Sequence, residues 1–241
     1  MTPSPVSHRP PLSPVPPASP VRGQWARRGA LLAGAAWSLA ACGPTIYEDA
    51  GSAFQLLVTG APDVPVTRDQ IRQIPYATLR AKVANGQRSV LVLFRYDGAD
   101  LHWMSADRIA LTTRAGRLVK TAGLPSNLRA SDVVGGDPVS SGLHHLAGPV
   151  RKTRLVDIEP GARYGIPIEM TLEPEAEETI EILDLTYDTI RVRERCHAPL
   201  LEWSFDNVYW VERSNGFVWR STQYFAPEFD PVELEILKKA S

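Results

Sequence analysis

Cysteine is almost missing from this chain, with two residues, Cys42 and Cys196, among 241. A disulfide framework of the kind that staples small secreted domains is therefore excluded. An excess of positive charge is missing too: 26 basic side chains stand against 27 acidic ones. Residues 1–41 hold four arginines and no acid, so the remainder carries 22 basic and 27 acidic side chains, a net charge of −5. Nucleic-acid affinity comes largely from Lys and Arg on phosphates, so nucleic acid is not an expected partner. No apolar run reaches the ~20 residues needed to span a bilayer as a helix. Catalytic signatures are also absent, with no G-x-S-x-G, no P-loop and no paired metal-ligand motif. His144-His145 and Cys196-His197 are isolated pairs, whereas a zinc site needs a second pair at defined spacing. No metal, cofactor or catalytic residue is expected, and Cys196 reads as a small buried hydrophobe.

What is present begins with an address. Arg22, Arg27 and Arg28 precede a short apolar run from Gly29 to Ala41, which ends in Leu39-Ala40-Ala41-Cys42. A basic region, a short apolar stretch and small residues before the cut make a signal peptide. A cysteine at the cut makes it a lipobox, in which the Cys42 thiol accepts a diacylglycerol and the new amine a further acyl chain. Each buried methylene contributes about 0.8 kcal/mol, so two or three chains anchor stably where one does not. The residue after Cys42 is Gly43 rather than the aspartate that retains enteric lipoproteins in the inner membrane. A lipid-anchored protein facing the periplasm from the outer membrane is expected. The proline-rich leader Met1–Pro20 fits no helix or central strand, and translation is expected to begin later, near Val21. The chain thus divides into a signal segment (1–41), a lipidated tether (42–66) and one domain (67–241).

Within that domain Thr67 and Gln70 form a capping box, and Pro75 keeps the helix they start short. From Ser89 onward the pattern is that of strands. Ser89–Tyr96 is apolar and β-branched, and further short strands read at Leu101–Ser105, Ile109–Thr113 and Leu118–Thr121. Residues 126–149 read as a polar, glycine-rich loop. Four more strands read at Leu155–Ile158, Ile166–Leu172, Ile180–Leu185 and Thr189–Cys196, with the acidic stretch Glu173–Glu178 as the solvated tip of a hairpin. The fold expected is mainly β, an antiparallel meander curled into a sheet, sandwich or barrel-like single domain with one or two short helices.

The clearest hairpin centres on Asn215-Gly216, a pair suited to a two-residue type I′ turn. Such a turn sets Glu212 opposite Trp219 and Trp210 opposite Ser221. Alternation then gathers Trp210, Phe217 and Trp219 on one face, with Tyr209, Val211 and Val218 on the other. The aromatic face is either core or a platform on which sugar rings stack.

Gly116-Arg117-Leu118-Val119-Lys120-Thr121-Ala122-Gly123-Leu124-Pro125 resembles the signature of the YjbF/GfcB lipoproteins, the group 4 capsule polysaccharide lipoprotein family. So do Ile74-Pro75-Tyr76-Ala77-Thr78, Leu101-His102-Trp103 and the block from Asn207 to Gln223, in the family's order and over about residues 54–238. The resemblance implies a β-rich, outer-membrane lipoprotein acting with an outer-membrane barrel and periplasmic proteins in capsule or exopolysaccharide production or export. It implies no catalytic residue. Arg117 and Lys120 are candidates for a partner contact, and Trp210, Phe217 and Trp219 for glycan stacking. An alternative is a polysaccharide hydrolase or lyase, which needs two carboxylates flanking the scissile bond. Asp97, Asp100 and Asp206 are its candidates.

Overall fold

The structure, a computed structural model, describes residues 66–83, 86 and 88–240; the signal segment, Cys42 and nearly all of the tether lie outside them. Thr67 caps helix α1 (Arg68–Gln73) as expected: its hydroxyl accepts from the Gln70 amide and the Gln70 side chain returns to the Thr67 amide. No described helix is long and apolar enough to cross a membrane.

Twelve strands follow: β1 (Thr78–Val83), β2 (Arg88–Asp97), β3 (Asp100–Met104), β4 (Ala110–Arg114), β5 (Arg117–Ala122), β6 (Asn127–Val133), β7 (Val150–Glu159), β8 (Arg163–Ile182), β9 (Leu185–Ala198), β10 (Trp203–Glu212), β11 (Val218–Gln223) and β12 (Val232–Lys238). They form one antiparallel sheet in the order β5-β4-β3-β2-β1-β12-β11-β10-β9-β8-β7-β6. Its two edges, β5 and β6, are consecutive in the chain. They meet through side chains: the Leu128 amide donates to Thr121 Oγ1 at 2.9 Å. The sheet is therefore a nearly closed barrel, and curling on itself removes most of the edge that an open sheet would expose.

Alternation along the strands fills the interior. Leu79, Leu91, Trp103, Leu111, Leu128, Ile158, Ile168, Leu172, Val192, Tyr209 and Leu234 all point into one continuous core. One end carries a short insert between β6 and β7, helix α2 (Pro138–Gly142) and a 3₁₀ turn (Leu143–His145), whose Val139 and Leu143 join that core.

Three readings from sequence are corrected here. Residues 126–149 are not one loop, since they hold β6, α2 and the 3₁₀ turn. The stretch Glu173–Glu178 is not a hairpin tip. It lies within the 20-residue β8, where Glu173 pairs with Arg195 at 2.6 Å and Glu175 with Arg193 at 2.6 Å across β9. The turn comes later, at Leu183-Asp184. The β10–β11 turn is not type I′ either. Of the pair Asn215-Gly216 only Gly216 has positive φ. The Glu212 amide donates to the Phe217 carbonyl at 2.7 Å, leaving a four-residue loop. Asn215 Oδ1 accepts from the Phe217 amide at 2.9 Å, a local turn that needs no left-handed asparagine. A bulge follows, and Trp210 consequently faces Arg220, not Ser221.

Candidate functional site

Several polar residues of the interior converge on Arg117, while the buried Arg154 makes no hydrogen bond to them. The Arg117 guanidinium, 0% exposed, grips two carboxylates at once. Nη2 and Nη1 donate to Glu194 Oε1 and Oε2 at 2.7 and 3.1 Å. Nε and Nη2 donate to Asp137 Oδ2 and Oδ1 at 2.7 and 3.1 Å. Bidentate pairs of this kind satisfy the planar fork of arginine. Nη1 also donates to the Tyr209 hydroxyl at 3.2 Å.

Glu194 is equally saturated. Its Oε2 also accepts from Asn207 Nδ2 at 2.6 Å and from the Tyr209 hydroxyl at 3.1 Å. Gln223 closes the ring, accepting from the Leu118 amide at 2.9 Å and donating to the Gly116 carbonyl at 2.8 Å. Asp137 caps α2 through the Val139 amide at 3.0 Å, so the same cluster ties the end insert to the barrel. Arg117 comes from β5, Glu194 from β9, Asn207 and Tyr209 from β10 and Gln223 from β11. The cluster therefore spans the lumen.

Burial pushes the Glu194 carboxyl up, but the nearby Arg117 and Arg154 charges and the hydrogen bonds from Arg117 and Asn207 outweigh it, leaving it at about 2. Burial lowers Arg117, yet Glu194, Tyr209 and Asp137 more than offset this, and it stays well above its usual range. Burial also raises the Tyr209 hydroxyl and the Cys196 thiol. A fully buried, ionised carboxylate held by four hydrogen bonds is neither a general acid nor an accessible base. This cluster is a structural lock.

Arg117 is therefore not a partner contact, a correction that follows from its burial: its charge is spent on Glu194 and Asp137. Lys120 is exposed on the outer side of β5, opposite Thr112. Sequence reading missed Glu194, Asn207, Tyr209 and Gln223 as a unit. The available signal was a charged or amide residue at an inward position of otherwise apolar strands.

Trp210, Phe217 and Trp219 do share a face, outside the barrel, while Tyr209, Val211 and Val218 point in. That face is covered. Beyond its pairing with β10, the β8–β9 ribbon folds Ile180, Ile182 and Tyr187 over Trp219. Trp219 is 6% exposed, with its ring centroid 3.8 Å from that of Tyr187. Its indole N–H donates to Glu212 at 2.9 Å. Lys239 lies over Phe217 and Trp219, 4.2 and 4.4 Å from their centroids. Trp210 and Phe217 remain partly exposed at the margin.

Of the three candidate carboxylates of a hydrolase, Asp97 and Asp100 face each other and Asp206 lies apart. Asp97 and Asp100 flank the β2–β3 turn, whereas β2, β1, β12 and β11 stand between β3 and the Asp206 of β10. Arg114 holds Asp100 at 2.6 and 2.9 Å. Arg95 holds Asp97 at 2.9 Å and Arg193 reaches Asp206 at 3.5 Å. Among the described residues no three His, Cys, Asp or Glu side chains are grouped to hold a metal ion.

A family model described as "Group 4 capsule polysaccharide lipoprotein gfcB, YjbF" matches residues 51–237. The chain belongs to this family. It is 28% identical over 178 residues to the uncharacterized lipoprotein GfcB of Escherichia coli K12, covering 74% of this chain and 83% of GfcB. It is 26% identical over 212 residues to the uncharacterized lipoprotein YjbF of the same organism, covering 84% of this chain and 93% of YjbF. The crystal structure of the hypothetical lipoprotein YmcC from Escherichia coli K12 matches with a TM-score of 0.67 at 28% identity, covering 74% of this chain and 92% of YmcC. The expectation of a β-rich fold in the YjbF/GfcB family is borne out.

Proposed function

We propose that this protein is an outer-membrane lipoprotein, anchored through acylated Cys42 and facing the periplasm. It serves as a non-enzymatic accessory in capsule or exopolysaccharide production or export, binding glycan or an outer-membrane barrel partner. The observation that carries the reading is the match of a capsule polysaccharide lipoprotein family over residues 51–237. The geometry supports it from the other side. Arg117, Glu194 and Asp137 engage one another, while the equally buried Arg154 keeps Nε and Nη2 without a partner; the outer surface offers Lys120 and the rim around Trp210 for recognition. A hydrolase or lyase would draw on Asp97, Asp100 and Asp206, each ion-paired, with Asp97 and Asp100 facing each other at the β2–β3 turn and Asp206 on a distant strand.

The test is crosslinking of the lipidated protein in outer membranes, followed by mass spectrometry of what it retains. Recovery of an outer-membrane barrel or polysaccharide-export proteins is the expected result. Recovery of none of these, with glycan cleavage by the purified protein, would overturn the reading.

A further inference from the structure

The register of the sheet lays two neighbouring rows of side chains across the outside of β10, β11, β12, β1 and β2. In one row Trp210, Arg220, Glu235 and Arg80 face each other strand by strand. In the next, Thr222, Glu233, Lys82 and Arg88 do the same. Together they line a half-open groove of about 400 Å³, to which the β8–β9 ribbon adds Glu181. That volume lies within the ~300–1,000 Å³ of ordinary small-ligand sites.

The groove is net positive by one charge within a domain that is net acidic. Four basic side chains stand in it against the carboxylates of Glu181, Glu233 and Glu235. Glu235 alone serves two guanidiniums, pairing with Arg80 and accepting from Arg220 at 3.0 and 2.6 Å, so both arginines keep donors to spare. Lys82 pairs with Glu233 at 3.3 Å. Arg88 is exposed, with no ion pair among the described residues. At the far end the Trp210 indole N–H is buried without a partner, and Arg220 sits 5.8 Å from the ring centroid. Guanidinium forks match carboxylates, and an indole ring offers a sugar an apolar flank.

We propose that this groove binds a carboxylate-bearing oligosaccharide, lying across the strands along the two rows. Arg80, Lys82, Arg88 and Arg220 meet its acid groups, and Trp210 closes the track at the ribbon. The proposal rests on the glycan-handling role given above and names the class of glycan and its site.

The experiment is titration calorimetry of the full lipidated protein in detergent with hexagalacturonate, set beside the methyl-esterified hexasaccharide, which keeps the sugar and removes the charge. The acid form is expected to bind and the ester to bind at least tenfold more weakly. The Lys82→Gln/Arg88→Gln double variant is expected to weaken the acid form at least tenfold with an unchanged melting temperature. Trp210→Ala, which removes the ring that flanks the track, is expected to weaken it severalfold. Absence of binding, equal binding of the ester, or indifference to the double variant would overturn the groove assignment. If export proteins are still recovered by crosslinking in that case, the accessory role stands and only the groove falls.

Discussion

Arg117 and Glu194 lie 77 positions apart on strands that are not neighbours in the sheet, yet they meet inside the barrel through two hydrogen bonds of 2.7 and 3.1 Å. Such a pair bridges the lumen beside the seam where β5 meets β6, which no backbone ladder closes. Taking two charges out of water is costly, and the pair is sustained because Asp137, Asn207 and Tyr209 satisfy its remaining donors and acceptors.

Removing one partner should therefore cost more than removing both. Arg117→Met leaves a buried carboxylate unpaired and is expected to destabilise by about 3–5 kcal/mol, with Arg117→Met/Glu194→Leu losing much less. Urea unfolding of both variants checks this. A double variant less stable than the single one contradicts it.

Acid should loosen the same lock. The Glu194 carboxyl is held at about 2, below its ordinary 4.5. A depressed folded value contributes stability that is complete above the ordinary value and is lost as pH falls through the folded one. The loss, on the order of 3 kcal/mol, should occur between about pH 5 and pH 2. Unfolding free energies across this window are expected to fall more steeply for the native protein than for Glu194→Gln.

Cys196 is buried, and its thiol is raised by that burial. A thiolate-selective reagent is expected to leave a Cys42→Ser protein unlabelled at neutral pH and to label one thiol after unfolding. Rapid labelling of the native protein would show that the interior opens.

The aromatic face separates core from platform. Trp219→Ala is expected to cost about 3–5 kcal/mol, as for a large core truncation. A surface platform would lose almost no stability. Denaturant titration distinguishes the two.

Gly116 and Gly216 mark close approaches at the α2 end. A Cβ on Gly116 would stand 2.5 Å from that of Val218, and one on Gly216 would stand 2.1 Å from His144 Nδ1. Gly116→Ala is expected to lower the melting temperature, by several degrees if the loss exceeds ~1 kcal/mol. His144→Ala should recover part of the loss in Gly216→Ala and leave the strain of positive φ. No recovery would mean the hairpin does not rest on His144.

Strand content and the inward-outward pattern were legible because alternation survives wherever a strand is regular. Tyr209, Val211 and Val218 inside, with Trp210 and Trp219 outside, read directly from the chain. Ser89–Tyr96, by contrast, reads as a strand covered on both faces and instead leaves Phe94 and Tyr96 more than half exposed. β6 was not legible because a bulge between Leu128 and Ala130 shifts its register and its next inward residue is Ser131, so the period of two is broken by a polar position. The misplaced hairpin tip has a different cause. Glu173 and Glu175 look solvated in isolation, but Arg191, Arg193 and Arg195 alternate on the facing strand and neutralise them. Pairing of that kind emerges only when two segments are read together. The buried cluster shares this property, since Arg117 is one of 26 basic residues until Glu194 and Asp137 are placed around it.

The most direct measurement is complementation of polysaccharide export in cells lacking this protein, comparing an interior variant with an outer one. Arg117→Met/Glu194→Leu with Asp137→Asn empties the lumen of its charge pair and keeps a cap on α2. Lys82→Gln/Arg88→Gln alters only the outer groove. Export sustained by the first variant and lost with the second is the expected result. Export lost with a folded interior variant and sustained by the outer one would place the function in the lumen and contradict the assignment of recognition to the outer surface.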